Sequence, residues 1–443
     1  MEDGIIIGER EVWGSRLPFG LSREDRRHHL YLLGQTGTGK STLLRSLIEQ
    51  DVWHGEGCML LDPHGDLKES IVDVIPSWRI DDVIIMEPSD LEHPVAWNPF
   101  FHVPVDERPL VASNLTSAFK HLWSDSWGPR LEYLLYNCLA ATLDAPDHLR
   151  PTILSVPRML VDAQYRHAIV TAVRDPQVRQ FWTGEFASWN DRFLAEVISP
   201  VQNKIGALVS TPSLRNILGQ WRPTIDLHRI MSERKILLVN LSKGQIGEDK
   251  ANLIGSLLVA GVQAAAMRRA AEPEGSRSDF HLYIDEFHNF GTDSFASILS
   301  EARKFHLSLV LAHQYLAQLS DEVREATLGN VGSIVCFRVG AGDADRLARE
   351  LADYSPATLR NLSRGEVCVR LLQDGESGQP FLAHTHPPPS VGKNHRAKIH
   401  SQVQQRYSRP RDEVEGRINV WFRGEASPAT QRHKNLWVSR NRG

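Results

Sequence analysis

Apolar residues in the first hundred positions fall into short continuous runs separated by stretches of helical spacing. His29–Leu33 is one such run, read as a buried strand that enters a glycine-rich turn, with a helix predicted from Lys40 to about Gln50. Cys58–Leu61 is a second strand, closed by Asp62, Pro63, His64 and Gly65; Leu67–Val74 is helical and Val83–Met86 is a third strand. Strands alternating with helices predict a parallel, doubly wound sheet with right-handed crossovers. After Asn98-Pro99-Phe100 the pattern changes. Leu110–Trp123, Leu131–Leu143, Met159–Val173 and Phe193–Val209 all repeat at helical spacing with few strand candidates between them. Alternation returns with strands at Ile236–Leu241, Phe280–Ile284, Leu307–Ala312, Ser333–Phe337 and Val367–Leu372, and helices at Ala251–Met267, Phe295–Phe305 and Ala344–Leu351. The economical reading is one sheet, built from residues 1–104 and 231–390, interrupted by an all-α insertion at 105–230. Past Phe381 the pattern fades into Pro387-Pro388-Pro389 and a polar, Arg-rich stretch, read as a linker and a flexible end at 391–443.

Composition narrows the class. With 443 residues, 41% hydrophobic and 23% charged, the chain is globular, not disordered, collagen-like or coiled-coil. Its four cysteines lie far apart in sequence with no C-x-x-C pair, which argues against a disulfide framework or zinc ribbon. The N-terminus has no basic, apolar leader, and the longest apolar run, Leu253–Met267, is too short for a bilayer span. A soluble, cytoplasmic protein is expected. The net charge of −4 excludes a uniformly basic nucleic-acid-binding surface, but residues 391–443 carry twelve Lys/Arg against four Asp/Glu. On charge alone that segment reads equally as a polyanion contact or a solvated end.

The chemistry concentrates in two places. Gly34-Gln35-Thr36-Gly37-Thr38-Gly39-Lys40-Ser41 matches G-x-x-x-x-G-K-[ST] in full, after a strand and opening a helix, as a phosphate-binding loop must. Its glycines let backbone N–H groups turn toward a β-phosphate, and the helix N-terminus adds partial positive charge. Lys40 would reach the β/γ-oxygens and Ser41 would hold Mg2+, with Thr42 completing the ATP-binding set. The strand Phe280–Ile284 then delivers Asp285 and Glu286, the first to hold Mg2+ through water and the second to polarise the attacking water. Gln314, at the end of the strand Leu309–Ala312, can bond both phosphate and water and reads as a γ-phosphate sensor. Arg303, on the helix after Glu286, reads by itself as a surface arginine directed away from its own phosphate loop.

Together these stretches resemble the HerA–FtsK superfamily of ring-forming ATPases, closest to the conjugative coupling proteins of type IV secretion. The carrying segments are His29–Leu43, Leu60–Leu67 (LLDPHGDL), Asn98–Phe100, Trp127–Glu132, Lys235–Gly244, Leu282–Phe290, Glu301–Gln314 and Asn361–Leu371. The resemblance implies a RecA-like P-loop motor with an inserted all-α domain, a homo-hexamer around a channel, ATP and Mg2+ as cofactors, and DNA as partner. Lys40, Ser41, Asp285, Glu286 and Gln314 match the family's nucleotide site, and Arg303 matches its trans-acting arginine finger. His64 stands where many coupling proteins carry lysine, and their N-terminal transmembrane helices are missing from this sequence. The function implied is ATP-driven DNA translocation, with a relaxase, nuclease or secretion channel as partner. Alternatives are a HerA-like motor acting with a nuclease in DNA processing or defence, and an ATPase that remodels or secretes protein. Ser242–Lys250, between a core strand and its helix, is the candidate DNA-channel loop.

Overall fold

The computed structural model describes residues 4–292, 295–351, 354–386 and 395–424. The chain divides into two compact units. One comprises Met1–Met86, Asp106–Tyr136 and Asp226–Val403, and the other Glu87–Val105, Asn137–Ile225 and Gln404–Gly443.

The first unit carries the strands β1 (Ile5–Val12), β2 (Ser15–Leu21), β3 (Leu30–Leu33), β4 (Gly57–Asp62), β5 (Val83–Met86), β6 (Ile236–Asn240) and β7 (Phe280–Ile284). It continues with β8 (Leu307–His313), β9 (Ser333–Cys336), β10 (Glu366–Arg370), β11 (Leu372–Gln373), β12 (Glu376–Ser377) and β13 (Phe381–Thr385). Among the described residues, eleven of these form one sheet in the order β2-β1-β13-β10-β9-β3-β8-β7-β4-β6-β5, with β11 and β12 paired apart. From β9 to β5 every pairing is parallel. Every residue of β3, β4, β7 and β8 is buried, because helices cover both faces of a parallel sheet and leave no polar side. The helices Lys40–Trp53 and Asp66–Val72 supply Leu43, Leu44, Leu47, Ile48 and Ile71 to a core shared with Leu32 and Leu60.

The sheet departs from the expected one at its far side. β10 runs antiparallel to β9, since an apolar run says where a strand is buried but not which way it points. Beyond it β13, β1 and β2 extend the sheet, again antiparallel. β1 and β2 are joined by Trp13-Gly14, both at positive φ (54° and 76°), the geometry of a two-residue hairpin turn. Cys336 and Cys368, distant in sequence, are register partners across β9 and β10, and all four cysteines are buried free thiols.

The boundaries between units also differ from those expected at residue 105. The helix Arg108–Leu122 packs against Glu248–Arg268 within the sheet unit, where Asn114 Nδ2 donates to Gln263 Oε1 at 3.2 Å and Arg268 pairs with Glu107 at 2.7 Å. Among the described residues one helical stretch, Glu248–Ala271, is long and apolar enough by composition to cross a membrane, and most of it is buried inside this unit.

The second unit is helical, with Ser155–Val161, Ala163–Val170, Asp191–Val201 and Pro212–Leu218 among its helices. Asp162 and Asn190 cap two of them by accepting from backbone N–H groups three residues on. The flexible end expected from residue 391 is corrected where the chain is described. Arg396–Tyr407 and Arg411–Phe422 are helices whose Ile399, Val403, Val414 and Ile418 are buried. The charge there serves the fold. Arg396 clamps Asp73 at 2.8 and 2.9 Å and also pairs with Glu69, while Arg409 donates to Gln220 Oε1 at 2.6 Å. Arg158 stacks on the rings of Tyr165 and Trp421 and donates to the Trp421 carbonyl at 2.7 Å, tying the last helix to the helical unit. Residues 387–394 and 425–443 of the expected linker and tail lie outside the described residues.

Candidate nucleotide site

Parallel strands place their C-terminal ends on one edge of the sheet, and that edge gathers the candidate chemistry. β3 runs into the loop Gly34–Gly39, which is pinned to both neighbours: Gly34 N–H donates to the His313 carbonyl at 3.3 Å and Gln35 N–H to that of Arg338 at 2.9 Å. Gly39 has φ of 127°, a conformation closed to side-chain-bearing residues, and the helix Lys40–Trp53 starts immediately after it with no acidic residue in its first turn. The N-terminal amides of that helix therefore keep their positive potential for an anion. Gln35, Thr36, Gly37 and Ser41 are exposed and Thr42 is half-buried, whereas Thr38 is buried and donates its hydroxyl to the Gln35 carbonyl at 2.7 Å.

Lys40 is buried and turned back on the loop, its Nζ donating to the Gly34 carbonyl at 2.6 Å and the Gln35 carbonyl at 3.2 Å. Burial pulls its pKa below the usual lysine value, opposed by the nearby Glu286 and Asp285 carboxylates. Asp285, at the end of β7, is pushed up to about 6 by burial and by the neighbouring Glu286 and Asp62. Glu286 sits in the left-handed region (φ 49°, ψ 50°), which turns the chain sharply after the strand. Its Oε1 accepts from Gln314 Nε2 at 2.9 Å, while its buried Oε2 has no hydrogen-bond donor and lies 3.5 Å from His288 Nδ1. Gln314 is placed by Gln318, whose Oε1 accepts from the backbone N–H groups of Gln314 and Tyr315 at 3.3 and 3.1 Å.

Lys40, Asp285, Glu286 and Gln314 are thus brought together, with the exposed Ser41 on the same helix turn as Lys40. Arg303 is not with them. It lies on the short turn Ala302–Phe305, exposed, with Nη1 3.4 Å from His28 Nδ1. His28 precedes the first residue of β3, so Arg303 occupies the sheet edge opposite its own phosphate loop. Lys243, from the candidate channel loop, is only one-fifth exposed and is paired with Asn289 and Glu248.

Three residues at this edge were missed by sequence reasoning. Asp62, almost fully buried, accepts from the backbone N–H of His64 at 2.9 Å and of Lys68 at 2.8 Å, and so shapes the turn after β4 beside Asp285. His288 and Asn289 flank Glu286. Asp62 had a signal, the acidic end of an apolar run; the other two had none.

Among the described residues no group of three or more His, Cys, Asp or Glu side chains could hold a metal by itself. Magnesium at a phosphate loop needs one hydroxyl, one carboxylate and the phosphates of a nucleotide, and Ser41 and Asp285 are the hydroxyl and carboxylate at this edge. The unpartnered Glu286 oxygen and the raised Asp285 value mark surplus negative charge that a divalent cation would balance.

A strand, a glycine-rich loop and a helix, with an acidic strand end beside them, define a P-loop nucleotide-binding fold. Residues 11–90 match the family described as the central domain of helicase HerA. The bacterial conjugative coupling protein TrwB, lacking its first 70 residues, is similar over 88% of this chain and 90% of its own, with a TM-score of 0.61 at 16% identity. The plasmid coupling protein TrwB in complex with ADP and Mg2+ matches at 0.61 and 15% identity over 88% and 92% of the two chains. VirB4 of Thermoanaerobacter pseudethanolicus matches at 0.58 and 14% identity over 88% and 97%. No curated protein matches the sequence. The chain has the fold of a HerA–FtsK-type P-loop ATPase, close to that of the conjugative coupling proteins.

Proposed function

We propose that this chain is a Mg2+-dependent ATPase that works in the cytoplasm as a ring, six subunits by resemblance, and couples hydrolysis to movement of DNA. The observation that carries the reading is the division of charge between the two sheet edges. Lys40, Asp285, Glu286 and Gln314 converge at one edge, and Arg303 stands exposed at the other, where only a neighbouring subunit's nucleotide could meet it. When bound, Mg2+ would supply neutralising charge to the phosphate oxygens, held by Ser41 and Asp285. Lys40 leaves the loop carbonyls for the β/γ-oxygens, the loop amides cradle the phosphates, and Glu286 takes up the proton of the attacking water. Gln314 then holds the water and γ-phosphate in line, and Arg303 stabilises charge on the neighbour's phosphoryl group.

The likeness to coupling proteins supports transfer of DNA, with a relaxase or secretion channel as partner. The match to the HerA central domain supports a second reading, a DNA-processing or defence motor acting with a nuclease. The test is the ATPase rate with and without single- and double-stranded DNA, alongside the native mass. Stimulation by DNA in a ring-sized species is expected. An ATPase indifferent to both DNAs would leave protein remodelling or secretion as the function.

A further inference from the structure

We infer that Asn289 is a positioning residue that holds the Glu286 turn and links it to Lys243, so that a nucleic-acid backbone phosphate engaging Lys243 resets the Glu286 carboxylate. The inference rests on the motor reading above.

A non-glycine residue in the left-handed region needs its neighbours to hold it there. For Glu286 that hold comes from Asn289: its backbone N–H and its side-chain Nδ2 both donate to the Glu286 carbonyl, at 3.0 and 2.8 Å. The other end of the same amide faces outward from the turn. Asn289 Oδ1 accepts from Lys243 Nζ at 2.5 Å, and the Asn289 carbonyl lies 3.3 Å from His121 Nε2. The amide cannot serve both partners in any other orientation. Lysine only donates and a carbonyl only accepts, so a flipped side chain would set NH2 against ammonium and oxygen against oxygen.

Lys243 is therefore the exchangeable member of the link. Its second partner is Glu248 Oε1 at 3.0 Å, a carboxylate two-thirds exposed to solvent. Its own backbone N–H is fixed to the Pro63 carbonyl at 3.0 Å, in the turn that Asp62 shapes. Only the ammonium can change partner. A backbone phosphate shares a full negative charge between two oxygens and competes well with a neutral amide oxygen for that ammonium. Once it does, the Asn289 amide turns with its donor still on the Glu286 carbonyl and carries that turn with it, so that the Glu286 carboxylate exchanges Gln314 for the attacking water.

The test compares wild type, Asn289→Ala, Asn289→Asp, Lys243→Ala and the Lys243→Ala/Asn289→Ala pair, in full chains shown to bind a fluorescent ATP analogue. The aspartate variant keeps an acceptor toward Lys243 but replaces the side-chain donor to the Glu286 carbonyl with a charged oxygen, leaving the backbone N–H bond in place; it makes the comparison should the alanine variant not fold. Each Asn289 variant is expected to lower DNA-stimulated kcat by at least about tenfold with KM for ATP unchanged, a loss typical of a misplaced reacting group. The DNA-stimulation ratio should fall to near one. The double variant should be no worse than the more severe single, because the two residues act through one link. Additive losses, or a stimulation ratio kept in Asn289→Ala or Asn289→Asp, overturn the inference while leaving the motor reading intact. A wild-type protein indifferent to DNA overturns both.

Discussion

At the scale of single residues, the candidate site is held in a set that ligand must change. Lys40 bonds its own loop carbonyls, and Glu286 bonds Gln314. Removing Lys40 and altering Glu286 should therefore fail differently. Lys40→Ala leaves the β/γ charge unneutralised and is expected to weaken ATP binding together with hydrolysis. Glu286→Gln keeps the shape of the side chain but cannot take a proton, so it should bind ATP near normally and turn over about 10²–10⁴-fold more slowly. Equilibrium binding and single-turnover rates separate the two. Near-normal turnover by Glu286→Gln would remove this residue from the chemistry. Burial at the same edge keeps Asp285 at about 6, so its negative charge is costly there, and a cationic ligand would favour it further.

At the scale of elements, the helix Glu248–Arg268 and the segment after β7 are fitted to each other through one glycine. A Cβ on Gly255 would sit 2.2 Å from Cε1 and 2.3 Å from Cδ1 of the fully buried Phe290, which closes the segment carrying Glu286 and Asn289. Gly255→Ala is expected to destabilise by about 1–3 kcal/mol, read as a lowered urea midpoint, because an overpacked core must shift backbone or rotamers. Loss of kcat should accompany it, and Phe290→Leu in the same chain should restore part of both. No change in midpoint would mean that the ring moves aside freely. Such fits are invisible in sequence, whereas the elements themselves were largely legible. β3, β4, β5, β6 and β9 announce themselves as apolar runs, and β7 and β8 do so with one interior polar residue each, His281 and Ser308, since both faces are covered. β1 and β2 do not, because their solvent faces interrupt the apolar pattern and Pro18 argues against a strand. The helices Arg396–Tyr407 and Arg411–Phe422 bury few apolar side chains amid many charges, which read as a solvated end. Of the candidate site, the phosphate loop, Asp285, Glu286 and Gln314 were legible from motif and strand ends. Asp62 showed only as the acidic end of an apolar run and Asn289 not at all, because both act by bonding backbone groups.

At the scale of the whole molecule, buried histidines set the acid limit. His29 donates from Nε2 to the Leu299 carbonyl at 3.0 Å and accepts at Nδ1 from Leu309 N–H at 3.2 Å, so its neutral tautomer is fixed by its partners. Burial holds His29 and His281 down to about 4 and His313 to about 3, against about 6.5 when free. The unfolded chain thus binds these protons first, and stability present above pH 6.5 is lost as pH falls toward 4, by up to about 3 kcal/mol per histidine. Urea midpoints should be level from pH 7 to 8 and fall steadily below 6.5; a level profile down to pH 4.5 would contradict this origin. The placement of Arg303 makes a second prediction for the assembly. Arg303→Ala and Lys40→Ala should each be inactive alone, yet mixed rings should regain activity at interfaces joining an intact loop to an intact arginine. Verified mixed rings that stay silent would exclude Arg303 as a trans-acting group, whose contribution is otherwise about 10³–10⁵ in rate. Strand order has one more consequence, for synthesis. β3, which leads into the phosphate loop, is flanked by β8 and β9, so Leu33 must wait for Cys336 to complete its pairing. At about 5–20 residues per second, some ~300 residues of translation leave both edges of β3 bare on the ribosome for about 15–60 s. The nascent chain therefore carries an apolar strand that cannot yet be satisfied by its own sequence, and an N-terminal half released early would meet other strands in its place.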